Sequence, residues 1–347
     1  MGNKLSTEQE NAGESPPESV MMKKKEELIV VDALLEEGIN DGDSRHLCLD
    51  KTILLSSGHT TFGPKDLEDV LASVRKTKLK LNKLSVMFNN TGAQGVGSFI
   101  AQDKNVNEVT LLCEKISQDS MERLAGALYT NRTVTKLLLG GRELQEDAAR
   151  ALGEVLKKTS ALRQLTLFNC QIRDEGAKYL ASGLAPNKTL QQLDLTYCGI
   201  GADGAAAISR AVRSHPLLDH LNLKKNAIGT KGSVALANAV RGNVVIRQLI
   251  LGGNRIGDGG AVALGNVLSA NTTLAYLDLG ANDITDDGGM AIAEGLAQNA
   301  SLRHLNLRKN AIGSETCEQV RAGWNKRNAK ESARREQPWH DGLTLPF

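Results

Sequence analysis

Aliphatic residues recur along this chain in the pattern L-x-x-L-x-L, starting at Leu162, Leu190, Leu218, Ile246, Leu274 and Leu302, each 28 residues after the last. The same phase extends backwards to Val134 and Val106. Counted from the first position of each unit, offsets 3 and 5 are leucine in all six, from Leu165 and Leu167 to Leu305 and Leu307. Such alternation predicts a strand. Offset 8 is Cys170, Cys198, Asn226, Asn254, Asn282 or Asn310, and offset 10 is always isoleucine, from Ile172 to Ile312, where the strand gives way to a turn. Glycine follows at offset 14 in five of the six units (Gly176, Gly204, Gly232, Gly260, Gly288), and aliphatics at offsets 18 and 22, such as Leu236 and Val240, mark one face of a helix. Each unit reads as strand, turn, helix.

A strand joined to the next through a helix runs parallel to it, so the units stack into a parallel sheet backed by a helical layer. Helices are wider than the strand spacing of about 4.8 Å, which forces the strands onto the inner side of the curve. The expected fold is therefore an α/β right-handed solenoid, a horseshoe with the sheet on its concave face and helices on its convex face. No single unit can bury its leucine layer alone, and stability comes from neighbour contacts.

These residues resemble the leucine-rich repeats of the ribonuclease-inhibitor-like class, from about Leu81 to about Trp324, with a weaker unit around Leu47 and Leu49. Similar repeats occur in NLR-type receptors and in the Ran GTPase-activating protein. The resemblance implies that the residue at offset 8 lies inside the turn and binds backbone groups from unit to unit, which gives Cys170 and Cys198 buried, structural roles. Glu114 and Arg142 occupy that offset in the Val106 and Val134 units, so the ladder should be interrupted there. The domain reading is a disordered segment over 1–22, a helical cap over 23–43 with Leu28, Val31, Leu34 and Leu35 on one face, and a repeat array over 44–313. The array holds about ten units, the first two irregular. A second helical cap with Val320 and Trp324, followed by a basic solvated tail, fills 314–347.

Composition narrows the function classes. Of 347 residues, 41% are hydrophobic and only 3% aromatic, as layers of leucine require. Lys+Arg 42 against Asp+Glu 40 leaves a net charge of +2, which argues against nucleic acid and against a polybasic membrane surface. The five cysteines are far apart with no CxxC, which weighs against zinc and disulfides and fits a reducing compartment. No apolar run is long enough to span a membrane, and the first twenty residues are polar where a signal peptide is apolar; the expectation is a cytoplasmic protein. There is no G-x-x-x-x-G-K-[ST], and the histidines at 46, 59, 215, 220, 304 and 340 do not assemble a nucleophile, base and orienter. Aspartates 283, 286 and 287 lack the spacing of a calcium loop. No cofactor, metal, catalytic residue or small-molecule substrate is expected. The sequons at Asn131, Asn187, Asn271 and Asn299 fall where helix meets strand in every unit, so the repeat accounts for them rather than glycosylation.

Two features carry function. Met1-Gly2-Asn3-Lys4-Leu5-Ser6 fits the N-myristoylation pattern at Gly2, the alternative being a fortuitous disordered start. A single acyl chain binds membranes with a constant on the order of 10⁴ M⁻¹, so attachment would be reversible and peripheral. The second feature is the open sheet face, where offsets 2, 4, 6 and 7 should point away from the core. Towards the N-terminal half it presents Met87, Phe88, Leu112, Leu138, Phe168 and Tyr197; towards the C-terminal half it presents His220, Lys224, Lys225, Tyr276, Asp278, His304, Arg308 and Lys309. Rings flanked by cations are what protein interfaces use, or else they cover the core edge and keep the face wet. The functional expectation is a non-enzymatic scaffold or adaptor that binds a protein partner on this face and is tethered to a membrane through Gly2. The alternative is a regulator of a small GTPase.

Overall fold

A computed structural model describes residues 46–50, 71–72, 75, 81–88, 94–113, 116–332 and 342–346. The expected segment over 1–22, the cap over 23–43, Gly2 and Glu114 lie outside them. Chain order is β1 (His46–Asp50), β2 (Lys83–Phe88), α1 (Gln94–Gln102), β3 (Glu108–Cys113), α2 (Gln118–Thr130), β4 (Lys136–Gly140), α3 (Glu146–Lys158), β5 (Gln164–Phe168) and α4 (Arg173–Leu184). It continues with β6 (Gln192–Asp194), α5 (Ala202–Val212), β7 (His220–Asn222), α6 (Gly229–Arg241), β8 (Gln248–Ile250), α7 (Gly257–Ala270) and β9 (Tyr276–Asp278). α8 (Asp286–Gln298), β10 (His304–Asn306), α9 (Ser314–Ser332) and β11 (Leu343–Thr344) complete it.

The strands form one open parallel sheet in chain order, and equivalent leucines pair in register, Leu193 with Leu221 and Leu221 with Leu249. Leucines at offsets 3 and 5 and the isoleucines at offset 10 are buried along the whole array, joined by helix residues such as Leu236 and Val240. This single elongated core is the α/β solenoid that the repeat predicts.

The offset-8 ladder has a definite chemistry. Asn254 donates from Nδ2 to the Leu223 carbonyl of the preceding unit (2.9 Å) and to its own unit's Leu251 carbonyl (2.8 Å), while its Oδ1 accepts from the Asn226 amide (3.2 Å). Asn226, Asn282 and Asn310 likewise reach the carbonyls of Leu195, Leu251 and Leu279. Where cysteine replaces asparagine the thiol takes over, Cys170 Sγ pointing at the Leu139 carbonyl and Cys198 Sγ at the Leu167 carbonyl. The neighbouring Cys170 thiol, with burial after it, pushes the Cys198 thiol up.

A second ladder runs where helix meets strand, at the positions occupied by the sequons. Asn187 is buried, donates to the Leu156 carbonyl (2.6 Å) and accepts from the amides of Thr189 and Leu190 (2.9 and 2.8 Å). Asn131, Asn243, Asn271 and Asn299 make the equivalent donation to Ile100, Val212, Val240 and Leu268. His215 occupies the same rung. Its Nδ1 accepts from the amides of Leu217 and Leu218 (3.3 and 3.0 Å), but its buried Nε2 has no partner among the described residues. Burial, and secondarily the Lys188 charge, lowers its pKa to about 4.

The C-terminal tail departs from the solvated reading. Leu343–Thr344 pairs with β10, the Leu305 amide donates to the Gly342 carbonyl (2.9 Å), and Leu345 is buried. The unpaired N–H and C=O groups on the edge left by the last repeat are a template for a further strand, and the tail supplies one. α9 closes the core beneath it with Cys317, Val320 and Trp324.

Candidate functional site

The described loops past the strands decide which side chains reach solvent. From β6 to β10 the strands are three residues long, whereas the pairing in β2 to β5 runs to five or six. Hydrogen bonding between units nevertheless continues beyond the short strands, the Tyr197 amide donating to the Lys224 carbonyl (3.0 Å) and the Lys225 amide to the Gly252 carbonyl (2.8 Å). At offset 7 the chain turns through the left-handed region in all six units: Asn169 (φ 54°), Tyr197 (61°), Lys225 (54°), Gly253 (72°), Ala281 (55°) and Lys309 (58°). That conformation costs a non-glycine residue about 1–2 kcal/mol. It bends the chain so that offset 8 dips into the core. Offset 7 therefore faces outward because of a turn, not because of strand alternation as the sequence suggests.

The turn gathers part of the expected face into one groove. Phe168, at the end of β5, is 49% exposed, and Tyr197, in the loop after β6, is 54% exposed. Both line the groove together with Lys224 and Lys225, with the Lys225 ammonium 5.7 Å from the centre of the Tyr197 ring. Arg142, Asn169, Gln171 and Thr196 complete the lining. These four were not selected from the sequence as binding residues, although Arg142 stood out as the break in the ladder. It is exposed where an asparagine would be buried.

The remaining expected residues sit further along. Tyr276 and His304 make a tilted ring contact, centroids 5.6 Å apart, and burial followed by the neighbouring Asp278 raises the Tyr276 phenol. His220 is half-buried in β7, and His304, Arg308 and Lys309 are exposed. Asp278 departs from expectation: it is 4% exposed. Its Oδ1 accepts from the Gly280 amide (2.9 Å) and from Asn306 Nδ2 (2.7 Å), and Lys224 Nζ lies 3.8 Å from Oδ2. Side-chain-free Gly252 and Gly280 beside it let the chain close over the carboxylate, so Asp278 braces the floor instead of meeting a partner. Phe88 lies in β2, three strands before β5, and its side chain is outside the described residues.

Among the described residues no group of three or more His, Cys, Asp or Glu could hold a metal ion, and no helix is long and apolar enough to cross a membrane. The groove offers exposed rings, cations and neutral hydrogen-bonding groups, a set suited to binding.

Comparison with known proteins locates the repeat. The family model "Leucine Rich repeat" matches residues 161–181, 187–209, 214–237, 242–265, 270–293 and 298–318. Among solved structures the chain is similar to leiomodin-1 actin-binding site 2, with 17% identity and a TM-score of 0.38, over 46% of this chain and 92% of that one. It is also similar to an internalin from Listeria monocytogenes, with 18% identity and a TM-score of 0.41, over 74% of this chain and 80% of that one. No curated protein sequence matches it.

Proposed function

We propose that this leucine-rich-repeat protein is a non-enzymatic scaffold that binds a protein partner on its sheet face. The observation that carries the reading is the convergence of two half-exposed rings, Phe168 and Tyr197, with Lys224 and Lys225 in one groove. Exposed aromatics cost water contact unless a partner covers them, and rings beside cations dominate measured interface energies. Partner recovery by the double variant Phe168→Ala/Tyr197→Ala is expected to fall at least ~10-fold, equivalent to about 1.4 kcal/mol. Its thermal midpoint should stay close to that of the parent, because neither ring supports the core. Unchanged recovery overturns the reading. A small-GTPase panel whose GTP hydrolysis is unaffected by the protein separates a scaffold from a GTPase regulator.

Gly2 adds the second half of the proposal. The Gly2–Ser6 spacing supports acylation of the amino terminus, and one acyl chain without a second signal supports reversible attachment. Intact-mass measurement of protein from eukaryotic cells should show a myristoyl increment that Gly2→Ala loses, together with its membrane-fraction recovery. An unmodified amino terminus sinks this part and leaves the binding face untouched.

A further inference from the structure

We propose that the groove takes an extended acidic segment of the partner, with carboxylates at positions i and i+4 and an apolar side chain at i+2. The inference rests on the reading of this face as a protein-binding surface and specifies the chemistry it recognises.

The argument begins with the order of groups across the sheet. Strands β4, β5, β6 and β7 are consecutive neighbours, and each contributes one element just past or at its end. Arg142 follows β4, Phe168 closes β5, Tyr197 follows β6, and Lys224 and Lys225 follow β7. Amide-to-carbonyl bonds from Asn169 to Thr196 and from Tyr197 to Lys224, both 3.0 Å, hold these loops in step. Read across the strands, the groove is cation, ring, ring, cation pair.

Its charge is one-sided. No carboxylate is among the lining residues. Two acids border the lining: Asp194 accepts from the groove residue Thr196 through its Oγ1 (2.6 Å) and from Asn222 Nδ2 (2.7 Å), and buried Asp278 accepts from Gly280 and Asn306. Its one contact with the groove is the 3.8 Å approach to Lys224, longer than a hydrogen bond. Lys225 Nζ lies 5.7 Å from the centre of the Tyr197 ring, and both residues line the groove.

Spacing selects the conformation of the ligand. Three strand intervals separate Arg142 from the lysine pair, about 14 Å at the usual strand spacing. An extended chain covers that span in four residues at roughly 3.4 Å each, and side chains at i, i+2 and i+4 then share one face. A helix rises only about 6 Å over four residues and cannot reach both cation groups with so short a segment. The central apolar side chain lies over Phe168 and Tyr197, where the exposed ring area is.

The test pans a display library of random nine-residue peptides against the full chain, then measures the enriched peptides as fluorescein conjugates by anisotropy. The reference probe is Ser-Gly-Glu-Ser-Phe-Ser-Glu-Gly-Ser. Enriched sequences are expected to carry acids four apart around an apolar residue, and to bind at least ~10-fold more weakly to Arg142→Glu/Lys225→Glu. The reference probe should lose the same factor when its two glutamates become glutamine. Both substituted residues are exposed, and an unchanged thermal midpoint checks the fold. Peptides without acids that ignore the charge reversal but are lost in Phe168→Ala/Tyr197→Ala overturn this inference and leave the binding face standing. Peptides indifferent to both variants overturn both readings, and a library that enriches nothing overturns the inference.

Discussion

Asn254→Ala is expected to destabilise the array by about 3 kcal/mol, the largest loss among single substitutions at the ladders. Asn254 is fully buried, and its side chain bonds to groups of two successive units. The Leu223 carbonyl also accepts from Asn226, and the Leu251 carbonyl from Asn282, so each keeps one partner when Asn254 is removed. The part-buried Asn226 amide loses its acceptor, which costs about 1 kcal/mol, towards the low end for an orphaned donor. The remainder comes from the two lost side-chain donations to Leu223 and Leu251 at roughly 1 kcal/mol each, offset in part by relaxation. Because repeat arrays are held together by neighbour terms, the damage should fall on the joint between two units. Urea unfolding of the variant is expected to split into two transitions where the parent shows one. A loss under 1 kcal/mol with a single transition would mean that leucine packing alone fixes the register.

The second large effect concerns pH. His215→Asn is expected to raise stability by about 1 kcal/mol at neutral pH, by adding the rung bond that every asparagine at this position makes. The difference from the parent should grow as the solution is acidified. In the folded chain His215 is held neutral, with its pKa lowered to about 4 from the usual 6.5, first by burial and then by Lys188. The unfolded chain therefore takes up a proton below about pH 6.5 that the folded chain refuses, and stability is lost as pH falls from about 6.5 to about 4. Integrated over that window the loss is about 3 kcal/mol for the parent and absent in the variant. Paired urea titrations at pH 7 and pH 4.5 measure it, and subtracting the two proteins removes the carboxylates common to both. Parallel pH profiles would show that Nε2 finds a partner when protonated.

Repetition made most of the fold legible. The leucine pairs, the isoleucine at offset 10 and the Asn/Cys position are each one residue type in one environment, copied every 28 residues, so the pattern itself reports the burial. The second ladder was hidden for a chemical reason. Asn131, Asn187, Asn271 and Asn299 stand two residues before Ser or Thr, and that triplet spells a glycosylation signal, whereas Asn243, followed by two valines, makes the same bonds without it. β11 carries no repeat and no periodicity, since what places Leu343–Thr344 is pairing with β10. The groove was half legible. Phe168, Tyr197, Lys224 and Lys225 follow from offsets within a unit, whereas Arg142 joins them only through the stacking of separate units, which alternation along one strand cannot express.

The left-handed turn at offset 7 and the fixed register have a consequence for how such a chain diversifies. The six units from β5 to β10 end their strands in the same outward-facing position, so a duplicated or deleted unit among them brings its own turn residue and leaves the hydrogen-bonding partners on either side chemically equivalent. One such event between Arg142 and Lys224 shifts the distance between the cations by about 4.8 Å, more than one residue of an extended ligand. Selectivity can thus jump in whole steps while the core is preserved, and gradual change is left to the identity of the residues at the turn.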